Sequence, residues 1–195
     1  FDQSYLKDAL AQLGPSFVGV TQIPVDTTDA EILDLDRAGV RAVRFNLYRG
    51  GSATLADVDT LARRVHDVAG WHSEFYLDVA DLANLEPMLA ALPKVSIDHL
   101  GMSDDPSGAL LRLVGAGMVV KATGFGRIHL DDPDSLMRII VDANPSALIF
   151  GTDLPSTRAA TPFDDSDIER VADAVGAEHT EAVLSGNART LYRLT

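Results

Sequence analysis

Six short apolar runs punctuate this chain, and five of them end in side chains of the kinds that move protons or hold anions. The run at 40–47 carries Arg44 and Asn46, with Arg49 just beyond it. The run at 74–79 carries Tyr76 and Asp78, followed by Asp81. The run at 95–100 holds Asp98 and His99, that at 119–124 holds Lys121 and Thr123 ahead of Arg127, and that at 147–152 leads through Thr152 into Asp153. A carboxylate can take a proton from water, imidazole and phenol groups can stabilise a developing oxyanion, and guanidinium forks match carboxylates. Each residue also has an ordinary use. His99 can bond its neighbours at a strand end, Asp153 can cap a turn in 151–156, Tyr76 can be a core aromatic, and each arginine can pair with one of the chain's 29 acids. Their shared placement at successive run ends favours one ring of acid, base and cation around a single mouth, suited to a small polar or anionic substrate. His66, His129 and His179 fall on helical or loop segments and receive no role. His72 precedes its strand, on the face where a barrel keeps stability rather than chemistry.

The elements that position these residues alternate strand and helix. Runs start at 17, 40, 74, 95, 119 and 147, about 26 residues apart on average, which leaves room for one crossover helix between parallel strands. Thr27 to Asp29 and Thr54 are helix start signals, with stops at Gly39 and Gly70. Asp105-Pro106 and Asp132-Pro133 open two further helices, Asp164 to Asp167 opens another, and an amphipathic segment fills 178–194. Such a pattern suits an open doubly wound sheet or a closed (β/α)₈ barrel. No glycine fingerprint follows the first strand, so dinucleotide binding has no support. No Gly/Ser-rich linker divides the sequence, and residues 1–195 read as one domain.

Composition narrows the function. There are 195 residues, 46% hydrophobic and 23% charged, enough for a sizeable core and too apolar for disorder. Lys and Arg number 16 against 29 Asp and Glu, a net charge of −13 that argues against nucleic-acid partners. The absence of cysteine removes disulfides, thiol nucleophiles and Cys-ligated metals, so any metal must use His, Asp or Glu. No apolar run is long enough to span a bilayer and no segment reads as a secretory signal, from which a cytoplasmic location is expected.

The segments GVRAVRFNLYR (39–49), WHSEFYLDVADL (71–82), VSIDHLG (95–101), VKATGFGR (120–127), LIFGTDLPS (148–156) and GNARTLYRL (186–194) resemble, in order and spacing, the amidohydrolase-related branch of the amidohydrolase superfamily. The likeness is strongest to the pyrone-dicarboxylate and sugar-lactone hydrolases. It implies a (β/α)₈ barrel with Asp153 as general base for the attacking water, His99 polarising the carbonyl or orienting that water, and Tyr76 donating to the oxyanion. Arg44, Arg49 and Arg127 are implied as holders of substrate carboxylates. Hydrolysis of a lactone or pyrone without a metal cofactor is the leading expectation. A zinc-dependent hydrolase or decarboxylase with His99 and Asp153 as ligands, and a non-catalytic barrel binding an acidic metabolite, are the alternatives. A small anionic or lactone substrate is the expected partner, with no membrane and a possible homo-oligomer. The family's opening His-x-His strand is absent, so only strands three to eight are expected here, the first two βα units being missing.

Overall fold

The computed structural model describes residues 2–48, 54–157 and 159–194. Six parallel strands lie in the order β1 (Gly19–Thr21), β2 (Val40–Asn46), β3 (His72–Tyr76), β4 (Val95–Ile97), β5 (Val119–Ala122) and β6 (Leu148–Phe150), each hydrogen-bonded to its sequence neighbour. This is an arc of a (β/α)₈ barrel. Helix α1 (Ser4–Leu13) precedes β1. Helices α2 (Asp29–Arg37), α3 (Leu55–Ala69), α4 (Leu82–Ala91), α5 (Ala109–Gly115) and α6 (Pro133–Ala143) make the crossovers, and α7 (Ser166–Val175), α8 (Ala177–Glu181) and α9 (Asn187–Tyr192) follow β6.

Local chemistry accounts for most boundaries. Thr28 and Thr54 each accept a backbone N–H three residues on, while Glu31 and Asp57 return the bond to the cap, so both expected starts are capping boxes. Gly70 ends α3 in a left-handed conformation that costs glycine little. The helix expected at Asp105-Pro106 starts at Ala109, because the Asp105 carboxylate spends its oxygens on the N–H groups of Ser107 and Leu110 and holds a turn. The terminal segment is helical from Ala177 to Tyr192, with the wider turns of Ala182–Gly186 between α8 and α9. Helix α4, with Pro87 inside it and no capping side chain, gives no start signal in the sequence.

Strand β3 begins at His72, not Glu74, and all five of its residues are buried. Parallel strands covered on both faces carry no simple apolar alternation, and here the lumen face takes His72, Glu74 and Tyr76 while Phe75 points to the helices, its ring stacked on Phe45 at 5.2 Å. Strands β4 and β6 end at Ile97 and Phe150, three and two residues before the expected ends at 100 and 152. The residues that follow turn sharply out of the sheet, so the polar groups sit on turns that the strands aim. Phe75 is fully buried between β2 and the helices, and Phe75→Ala is expected to cost about 3–5 kcal/mol in urea unfolding. A loss below about 1 kcal/mol would show that the ring is not a packing centre of the arc.

Candidate active site

His99 stands on the tight turn His99–Gly101 after β4, with φ of 53° at His99 and 50° at Leu100, values strained for residues with a Cβ. Gly101 completes the turn at φ 81°, and a Cβ there would lie 2.1 Å from Val79 Cγ1. The turn brings the His99 ring over β5. Its Nδ1 is 2.8 Å from Thr123 Oγ1, which also accepts the His99 backbone N–H. Gly124 allows that approach, since a Cβ at 124 would come within 2.7 Å of Nδ1. The Tyr76 ring meets His99 edge-on at 5.3 Å, and the Arg44 guanidinium lies 5.2 Å over the Tyr76 ring. Burial holds the His99 imidazole below its ordinary pKa, against the pull of Asp98 and Asp153, so the ring is neutral near pH 7.

Beneath this turn, buried charges alternate in sign. Arg44 donates through Nε (3.0 Å) and Nη2 (2.5 Å) to Asp98 Oδ2. Lys121 Nζ lies 3.1 Å from Asp98 Oδ1 and 2.7 Å from Glu74 Oε2. Glu74 Oε1 accepts from the Tyr192 hydroxyl of α9 and lies 3.3 Å from His72 Nε2. Burial alone would raise the Glu74 carboxyl, but the Lys121 ammonium and His72 outweigh it and hold it well below the carboxylate range. For Lys121 burial works the other way, and Glu74 with Asp98 keeps the ammonium charged above the ordinary lysine range.

Asp153, on the turn after β6, has φ 57° and accepts from Arg127 Nε; Arg127 Nη2 also donates to Thr157 O at 2.6 Å. Arg44, Asp98, His99, Lys121, Thr123 and Asp153 share the wall of one cavity of about 760 Å³. Tyr76 and Arg127 each touch a residue that lines it. Five of the six expected site residues therefore converge; Arg49 lies outside the described residues. His72 belongs to β3 rather than preceding it, and it sits in the floor of the lumen. Glu74 and Tyr192 were not singled out from sequence. An acid two residues before Tyr76, on the same strand face, was the available signal. Among the described residues no group of three or more His, Asp or Glu is placed to hold a metal ion. His99 and Asp153 alone do not make a centre, Asp153 already faces a guanidinium, and no step below runs through a metal.

A parallel α/β barrel arc with ionisable groups on its strands and on the turns that follow them defines a class, the barrels that do chemistry at the carboxyl ends of their strands. The family profile described as Amidohydrolase matches residues 1–194, and the chain belongs to that family. It is 34% identical over 110 residues to a 2-pyrone-4,6-dicarboxylate hydrolase of Comamonas testosteroni; the match takes in 55% of this chain and 36% of that protein, so it spans about a third of the relative's length. An apo structure from Agrobacterium tumefaciens superposes with a TM-score of 0.86 at 23% identity, covering 100% of this chain and 76% of that one. A structure from Acinetobacter baumannii, described as a "probable 2-pyrone-4,6-dicarboxylic acid hydrolase" with citric acid bound, gives a TM-score of 0.79 at 25% identity, covering 98% and 79%. No helix among the described residues is long and apolar enough to cross a membrane.

Because the folded chain keeps Glu74 ionised below its ordinary value of 4.5, the carboxylate contributes stability above that pH and loses it as pH falls from there through the lowered folded value. Glu74→Gln is expected to cost about 3 kcal/mol at pH 7 in urea unfolding. The gap to the parent chain should close on acidification below pH 4.5; a gap that stays constant to pH 3 contradicts the ionic role.

Proposed function

We propose that this chain carries the active site of a hydrolase that opens the ester ring of a small, carboxylate-bearing lactone or pyrone. The observation that supports this best is the company Asp153 keeps: a carboxylate paired with Arg127, at the wall of a cavity that it shares with the neutral imidazole of His99 and with Arg44. The name of the Comamonas relative, a pyrone-dicarboxylate hydrolase, and the citrate bound in the Acinetobacter structure point to the same substrate class, a compact polycarboxylate.

In the proposed reaction a substrate carboxylate takes the Arg127 guanidinium and frees Asp153. Arg44 holds the substrate from the opposite side, and Arg49 is assigned a similar part from the family likeness alone. Asp153 then removes a proton from a water that adds to the ring carbonyl carbon. Thr123 already accepts the His99 backbone N–H, so its hydroxyl proton can go to Nδ1. That leaves the ring proton on Nε2, where it donates to the developing oxyanion, with Tyr76 as a second donor. Collapse breaks the ring C–O bond, and the leaving oxygen takes the proton from Asp153. The product is an open acid with one more carboxylate than the substrate.

Asp153→Asn should lower kcat by about 10²-fold or more while leaving the affinity for a dicarboxylate substrate within about threefold. Binding without turnover in the parent chain would instead make it a binding protein. Arg44→Ala and Arg127→Ala should raise KM for the dicarboxylate, and an unchanged KM in both removes the anion-holding role. Since proton and oxyanion are both handled by side chains, activity should survive chelation. Stoichiometric zinc together with loss of activity to chelator would overturn that part of the mechanism.

A further inference from the structure

One cation in the cavity wall has no part in the proposed reaction, and that is Lys121. Its ammonium sits between two buried carboxylates, 2.7 Å from Glu74 and 3.1 Å from Asp98. Asp98 spends its other oxygen on Arg44, which commits Nε and Nη2 to it. On the far side Glu74 is tied to the Tyr192 hydroxyl, 118 residues away in sequence. Five side chains from β2, β3, β5, the turn after β4 and α9 thus form one ladder of alternating charge, Tyr192 to Glu74 to Lys121 to Asp98 to Arg44. Resting on the hydrolase reading above, we infer that Lys121 is a positioning residue for the anion clamp. By fixing Asp98 it sets the direction in which Arg44 presents its remaining Nη1 edge to a substrate carboxylate, and Tyr192 fixes the far anchor of the same ladder.

The physical case rests on how few arrangements satisfy these groups. Two carboxylates buried this closely repel unless a cation lies between them, and an ammonium bridging both leaves each little freedom. A guanidinium gripped by one carboxylate oxygen through two of its nitrogens inherits that carboxylate's orientation. Its face is also stacked on Tyr76, so a tilt of Asp98 would move Arg44 against that ring. Residues that hold a clamp in productive geometry act on binding of the charged part of the substrate rather than on the bond-breaking step.

A merely structural Lys121 would only neutralise Glu74, and a paired substitution separates the two roles. In the full-length protein, Lys121→Met with Glu74→Gln removes one cation and one anion together and keeps the interior neutral. The inference expects a folded protein by thermal unfolding, a KM for 2-pyrone-4,6-dicarboxylate raised about tenfold or more, kcat within about twofold, and a much smaller rise in KM for a 2-pyrone bearing a single carboxylate, which can open the Arg127–Asp153 pair and has no second carboxylate for Arg44. Tyr192→Phe, which deletes only the hydroxyl, should move KM the same way by a few-fold and decides the matter if the double variant does not fold. Parent-like KM in the folded variants, or equal losses on both substrates, overturns the positioning role. Failure of the parent protein both to hydrolyse the dicarboxylate and to bind citrate would instead sink the hydrolase reading on which the inference stands.

Discussion

The site depends on one ammonium held between two carboxylates in the lumen. Without Lys121, Glu74 would be a buried charge with no cation beside it and Asp98 would be left with Arg44 alone, a condition worth several kcal/mol against folding. With it, each carboxylate is free to tie a further group: Glu74 the C-terminal helix through Tyr192, and Asp98 the strand-borne Arg44. Closure of the last helix onto the strands and orientation of a cation at the cavity wall are therefore the same interaction seen from two ends.

A second constraint comes from the backbone. The strands run parallel and stop short, and the chain then reverses through left-handed residues at His99 and Asp153. Such conformations cost a residue with a Cβ about 1–3 kcal/mol and persist only where the surroundings dictate them. At His99 the surroundings are specific: Gly101 fits against Val79, Gly124 leaves space for the imidazole, and Thr123 takes both the backbone N–H and the ring nitrogen. The strain lets the imidazole and the carboxylate reach one cavity from strands that are not neighbours in the sheet.

How much of this was legible in the residues follows from which signals are local. Capping boxes at Thr28 and Thr54 and the order of six strands could be read because a cap involves three residues and a parallel strand about five. His99 and Asp153 could be found because both close apolar runs. The ends of β4 and β6 could not, because nothing in DHLG or GTDLP announces that the chain leaves the sheet before the histidine and the aspartate; tertiary packing decides it. Glu74 was missed for a related reason. In a strand buried on both faces, an acid reads as the start of the run, whereas its partners Lys121 and Tyr192 lie 47 and 118 residues away and no periodicity joins them.

The chain's formal charge of −13 takes on a different meaning once the lumen is described. Inside, the cations Arg44, Lys121 and Arg127 are each paired with Asp98, Glu74 or Asp153, and Asp2 adds a further acid to the cavity lining, so the wall carries no surplus of positive charge. Such a wall cannot draw in an anion by net charge; it can only exchange partners. Lys121 is bound into the buried ladder, and Arg44, itself partly exposed, holds two of its nitrogens on a nearly buried Asp98, so neither is well placed to exchange. Arg127 pairs with an Asp153 whose side chain is 21% exposed, at the edge of the cavity, and that is the pair an incoming carboxylate can open. In the proposed reaction the anion that breaks this pair also releases the base, so substrate charge and base availability are coupled through a single guanidinium. A neutral ring of the same shape would leave Arg127 where it is, and the site would discriminate by charge before any bond is broken.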